Sequence, residues 1–127
     1  MESKSSNTFT YIIVGLVILF IVGIVFLKNK PVATPANATA LATCLKNNGV
    51  TFYGASWCPH CKAQKEAFGD AARLLPYVEC AQDNGITPVC TAAGITGFPT
   101  WINKTGEKLE GEQSFDALAK FGGCVLN

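Results

Sequence analysis

Two cysteines set two residues apart, in Trp57-Cys58-Pro59-His60-Cys61, constrain this chain more than any other stretch. They follow a short apolar, β-prone run, Val50-Thr51-Phe52-Tyr53, and open a helical pattern from Lys62 to Leu75. A strand that enters a helix through Cys-x-x-Cys reads as a dithiol/disulfide redox site. Cys58 falls at the helix N-terminus, where unpaired N–H groups and the macrodipole favour an anion, so a thiolate is stabilised there and reacts. Cys61, one turn on, is near enough to close a small disulfide ring with it. Pro59 falls at the first helical position, where its missing N–H forfeits no intrahelical bond. The competing use is half of a zinc site. A structural zinc takes four ligands, usually from two such knuckles. The chain has one histidine, His60, inside the motif, and no second Cys-x-x-Cys, so no metal is expected.

The chain has 127 residues, room for one small domain, and a net charge of +1. No Lys/Arg cluster interleaves with aromatic residues, which excludes a nucleic-acid surface. No cofactor-binding motif is present, and no cofactor is expected. Six cysteines are high usage for this length. In an oxidising compartment they can supply structural bridges plus one catalytic pair.

Along the chain, residues 1–8 read as a short polar, unstructured tail. Phe9 to Leu27 carries no charge over 19 residues. As a helix it spans about 28 Å, close to the thickness of a bilayer's hydrocarbon core. A cleaved signal peptide has a shorter apolar core and a small-x-small site close behind. The small-residue triplets here begin only at Ala36, so an uncleaved transmembrane anchor over 9–27 is expected. Lysine counts on its two flanks, Lys4 against Lys28 and Lys30, weakly place the C-terminal side in the cytoplasm. Cysteine usage places it outside. We follow the cysteines and expect a single-pass protein with its C-terminal domain extracytoplasmic (periplasmic, extracellular or lumenal). Residues 28–37, with two prolines, read as an extended linker.

The remaining residues, 38–127, form the expected domain. Ala38–Asn48 reads as a helix stopped by Gly49, and Val50–Tyr53 as a strand leading to the motif. The long helix follows, with a kink at Gly69, and then a second strand at Tyr77–Cys80. Asp83-Asn84-Gly85 marks a turn, and Pro88–Ala93 a short helix. Thr100–Asn103 and Glu107–Glu110 form a hairpin about Lys104-Thr105-Gly106. Ser114 caps a final helix with Asp116 in its first turn and Gly122 past its end. The order α-β-α-β-α-β-β-α implies an α/β domain with a mixed sheet and helices on its faces.

With this order and Gly97-Phe98-Pro99-Thr100 in hand, residues about 41–124 resemble the thioredoxin fold, a mixed four-stranded sheet flanked by helices. They look most similar to the thioredoxin-like domain that accompanies, or is fused to, homologues of vitamin K epoxide reductase. The strings that carry the resemblance are Phe52 to Cys61, Pro76-Tyr77-Val78-Glu79-Cys80 and Gly94 to Trp101. The resemblance implies that Cys58 and Cys61 are catalytic and that Pro99 is a cis-proline facing them. It implies that the Phe98 backbone pairs with an extended substrate and that Trp57 covers the site. The partners it implies are cysteine-containing protein substrates and a separate vitamin K epoxide reductase-like membrane protein that supplies oxidising equivalents. In one respect the chain departs from the pattern. Phe52 stands where thioredoxins carry a buried acid, so Cys61 lacks the usual proton acceptor; Glu66 and Glu79 are the candidates to serve through water.

Pro59-His60 resembles the corresponding pair of periplasmic disulfide oxidases, with His60 stabilising the Cys58 thiolate. Thiolate stabilisation can set the direction of electron flow. Lowering a thiol pKa from about 8.5 to about 3.5 is worth roughly 7 kcal/mol. Potentials of about −270 and −120 mV differ by roughly the same energy. The chain is therefore expected on the oxidising side, forming disulfides in exported proteins. The alternatives are a tethered reductase or isomerase, such as one serving cytochrome c maturation, and a non-enzymatic adaptor or metal-binding module. The other four cysteines are expected as two structural disulfides, Cys80–Cys90 and Cys44–Cys124. The alternatives for these are free buried thiols, or a relay dithiol using Cys80 or Cys90.

Overall fold

The computed structural model describes residues 5–28 and 34–126, with the side chains of 5–7, 25–28 and 35 left aside. The chain divides into two units, Met1–Val32 and Ala33–Asn127. The first is one helix, α1 (Ser5–Lys28). Its described side chains, residues 8–24, are all exposed, and they include Phe9, Ile12, Leu16, Leu19 and Phe20. Among the described residues no helix is long and apolar enough to cross a membrane. The stretch expected as an anchor, 9–27, runs past the described side chains. Ser5–Thr8, expected as unstructured tail, are helical, because nothing in Ser-Ser-Asn-Thr breaks the helix that the apolar run propagates. Residues 1–4 and the linker residues 29–33 lie outside the described part.

The second unit starts earlier than the sequence suggests. Helix α2 is Pro35–Asn47, so Pro35 to Asn37 belong to a helix rather than to a linker. Thr34 caps it, its hydroxyl accepting the Asn37 N–H at 3.4 Å, and Pro35 takes the first turn, where a proline is tolerated. Strand β1 (Thr51–Gly54) enters α3 (Pro59–Phe68), a 3₁₀ segment follows (Gly69–Leu74), and β2 is Tyr77–Glu79. A small ribbon, β3 (Ala81–Gln82) with β4 (Gly85–Ile86), leads to α4 (Pro88–Ala92), then β5 (Thr100–Ile102), β6 (Lys108–Glu110) and α5 (Phe115–Gly122). The expected long helix with a kink is thus two segments. Gly69 ends α3 at φ +53°, ψ −131°, a conformation outside the α-helical region that glycine adopts without a Cβ clash. At the far end Gly122 is the last residue of α5 rather than beyond it, and Gly123 is the left-handed cap.

The sheet order is β2-β1-β5-β6. β1 and β2 are parallel, with Phe52 opposite Tyr77; β5 is antiparallel to β1, with Trp101 opposite Phe52, and β6 is antiparallel to β5. This is the mixed four-stranded sheet with helices that a thioredoxin-like domain requires. The core holds Leu41, Ala42 and Leu45 of α2, Phe52 of β1, Phe68 of α3, Trp101 of β5 and Leu118 of α5. Phe52 and Trp101 stack at 4.3 Å between centroids, so the centre of the sheet is aromatic and packed on both sides of the strand that delivers Cys58.

Candidate functional site: a dithiol at a helix N-terminus

The chain leaves β1 at Gly54 and turns through Ala55, Ser56 and Trp57, with the Cys58 N–H donating to Ala55 O at 3.0 Å. Cys58 is the N-cap of α3 in extended conformation, and its Sγ accepts the Cys61 N–H at 3.2 Å. It stands where Ser or Asp usually caps, and the sulfur takes the donor that an oxygen would take. Pro59 occupies the first helical turn. Cys58 and Cys61 are free thiols, 3 % and 1 % exposed. Burial, and then the hydrogen bond with Cys58, push the Cys61 thiol up to about 12; a backbone hydrogen bond at Ala55 and the Lys65 charge act the other way. The two sulfurs are therefore chemically unequal. Cys58 Sγ accepts the Cys61 N–H, whereas Cys61 is held protonated.

The outer rim is apolar and exposed. Trp57 is 65 % exposed and meets Phe98 edge-on at 5.7 Å. Phe98–Pro99 is a cis peptide bond, and the Thr100 hydroxyl donates to Gly97 O at 2.8 Å. His60 is exposed and its Nδ1 pairs with Glu112 Oε1 at 2.5 Å. Glu112 is held there by Gln64, one turn after His60. Gln64 is 2 % exposed; its amide donates to Gln113 O at 3.1 Å and accepts the Gln113 N–H at 2.6 Å. Nothing in the local pattern of Gly111-Glu112-Gln113 announces this, because the pairing spans 49 residues.

The floor of the site is Phe52, fully buried, with Tyr77 edge-on at 5.2 Å. The Tyr77 hydroxyl donates to Glu79 Oε2 at 2.9 Å. Glu79 Oε1 accepts the N–H groups of Ser56 at 3.0 Å and Ala81 at 2.9 Å. Lys65 Nζ lies 3.3 Å from the centroid of the Tyr77 ring. Burial acts to raise the Glu79 carboxyl, but the bonds from Ala81, Tyr77 and Ser56 and the Lys65 charge outweigh it and hold it below the usual carboxylate range. Burial, and then Glu79, push the Tyr77 hydroxyl above its ordinary range. Sequence reading named Glu79 but missed Tyr77 and Lys65 as its companions.

The remaining cysteines are bonded in two pairs. Cys44 of α2 joins Cys124 beyond α5, with Cα atoms 6.0 Å apart. Cys80 joins Cys90 of α4, with Cα atoms 5.6 Å apart, and both are fully buried. The second pair fastens the ribbon and α4 to the end of β2, beside Glu79.

No protein-family profile matches the chain. Among curated proteins, the thiol-disulfide oxidoreductase LTO1 of Arabidopsis thaliana is 45 % identical over 96 residues, which is 71 % of this chain and 25 % of that protein. The chain therefore spans about a quarter of the length of the relative it matches. The dithiol at the head of α3 thus lies in a chain similar, across most of its length, to part of a thiol-disulfide oxidoreductase.

Proposed function

We propose that this chain is a membrane-tethered thiol–disulfide oxidoreductase that forms disulfides in exported proteins. The observation that carries the reading is the capped pair: Cys58 Sγ receives the Cys61 N–H at the N-terminus of α3 while Cys61 is buried behind it. The Cys61 N–H and the positive end of the α3 dipole face the Cys58 sulfur. A substrate thiolate attacks Cys58 of the Cys58–Cys61 disulfide, and the substrate's second cysteine resolves the mixed disulfide. The reduced pair is recharged when Cys58 forms a mixed disulfide with the oxidising partner and Cys61 resolves that one. Trp57 and the Phe98–Pro99 segment offer an apolar rim and an open backbone edge for an extended substrate. Pro59 sets the helix start, and His60 faces solvent beside Glu112. The relative's name, thiol-disulfide oxidoreductase, supports the chemistry.

The tether is the uncharged run Phe9–Leu27, within a helix whose side chains from Ile12 to Ile24 carry no polar group on any face, the pattern of a span rather than of a surface helix. Two bonded cysteine pairs in the second unit support an extracytoplasmic location. A separate vitamin K epoxide reductase-like membrane protein reoxidises the dithiol in this reading. The test is the reduction potential of Cys58/Cys61 in the full chain, by glutathione equilibration and thiol trapping. A value of about −120 to −180 mV supports an oxidase; one near −270 mV overturns that direction and makes the chain a reductant.

A further inference from the structure

Resolution of a mixed disulfide requires Cys61 to lose its proton, yet Cys61 is sealed from solvent and its neighbour beneath the site, Phe52, has no base to offer. One polar route leaves the site floor. It begins at Gly54. A Cβ placed there would lie 3.2 Å from Cys61 Sγ, 3.3 Å from the Tyr77 hydroxyl oxygen and 2.8 Å from Tyr77 Cε2. The last distance is a collision, so a bare glycine is what lets the tyrosine lie against the same spot as the thiol. Sulfur and hydroxyl oxygen therefore both lie against one point; no direct hydrogen bond joins them, and one water between them completes the route. From Tyr77 the hydrogen bond runs to Glu79, which is exposed.

We propose that Tyr77 and Glu79 carry the Cys61 proton out to solvent, in place of a buried acid. This rests on the reading of Cys58/Cys61 as an exchanging dithiol. As Cys61 Sγ attacks the Cys58 sulfur, its proton passes through one water to the Tyr77 oxygen while the Tyr77 proton passes to Glu79. The Cys58–Cys61 bond forms, the bond from Cys58 to the sulfur of the oxidising disulfide breaks, and that sulfur leaves as a thiolate, so the chain is recharged and the oxidising disulfide reduced. Glu79 then releases the proton to water, and Tyr77 regains its starting state. The charged and titratable groups facing this route are Cys58 at the cap of α3, Lys65 within it, and Tyr77 and Glu79 from β2. Glu79 is ionised at neutral pH, and a tyrosine held above its ordinary range serves as a relay rather than a store of charge. Glu66, the other acidic candidate, lines a cleft with Thr39 and Asp70 instead.

The test mixes the reduced full chain in detergent with glutathione disulfide, quenches with acid, and alkylates. Mass spectrometry then separates dithiol, mixed disulfide and internal disulfide between pH 5.5 and 9.5. Glu79→Gln keeps an oxygen acceptor for Ser56 and Ala81, and Tyr77→Phe keeps the ring under Lys65. Both are expected to slow conversion of mixed to internal disulfide about tenfold or more at pH 7. The deficit should shrink toward alkaline pH, and consumption of the Cys58 thiol should stay within about twofold of the parent. Unchanged conversion in either variant overturns the proposal, as does a slowing by the same factor at every pH, which is what a merely structural role gives. If the parent chain forms no mixed disulfide at all, the thiol–disulfide reading fails, and this proposal with it.

Discussion

The Cys58/Cys61 pair and the Cys44–Cys124 pair are both built at helix ends, but at opposite ones. Cys58 caps the start of α3 and takes an N–H on its sulfur. Cys44 lies in the last turns of α2, and Cys124 follows α5, its N–H donating to Ala119 O at 2.7 Å. N–H groups face the sulfur at the first kind of site, and carbonyl oxygens crowd the second. The third pair, Cys80–Cys90, is withdrawn from solvent altogether. Exposure does not separate the first two pairs, since Cys58 and Cys61 are buried and Cys44 and Cys124 half-buried; the helix end at which each pair sits does.

The largest test of this contrast is Cys58→Ser, which should abolish mixed-disulfide formation with a small disulfide while leaving thermal unfolding nearly unchanged; residual exchange through Cys61 would break the contrast. Next come the closed pairs. By the loop-entropy relation, replacing Cys44 and Cys124 together by Ala opens a loop of 80 residues and should cost about 4.5 kcal/mol. The same change at Cys80 and Cys90, 10 residues apart, should cost about 2.7 kcal/mol plus lost packing. Urea unfolding of both double variants measures the difference, and the reverse order would show that strain or residual structure dominates.

A subtler outcome concerns pH. Cys61 binds its proton more tightly folded than unfolded, so its contribution to stability is complete below the ordinary thiol range near 9 and is lost as pH rises toward about 12. The dithiol form should therefore lose stability against the disulfide form across that window in urea titrations; parallel curves would mean that the thiol is not held protonated. The smallest effect is expected at the rim. Glu112→Gln removes an exposed partner of His60 and should change unfolding stability by less than about 1 kcal/mol.

Much of the second unit was legible because its signals are local. Cys58 before Pro59, Ser114 three residues before Ala117, and Gly49 after Asn48 each specify a helix end through backbone hydrogen bonds a few residues long. The same kind of signal was misread at Pro35. Two prolines in Pro-Val-Ala-Thr-Pro suggested an extended spacer, whereas Thr34-Pro35 is a cap and first turn. Gly69 was read as a kink because apolar spacing continues beyond it; its positive φ divides the segment, and spacing does not record φ.

The sequence by itself determined that a dithiol sits where a strand meets a helix, with one cysteine at the cap and the other a turn inside, since three residues of chain suffice for that geometry. Only the tertiary structure decided what surrounds the pair. Glu112 reaches His60 across 52 residues because Gln64 ties down its loop. Tyr77 and Glu79 reach the floor of the site because β2 lies parallel to β1, placing Tyr77 against Phe52 and Glu79 beside Gly54. Such contacts depend on strand register and side-chain burial between distant segments, and no short stretch of sequence carries that information.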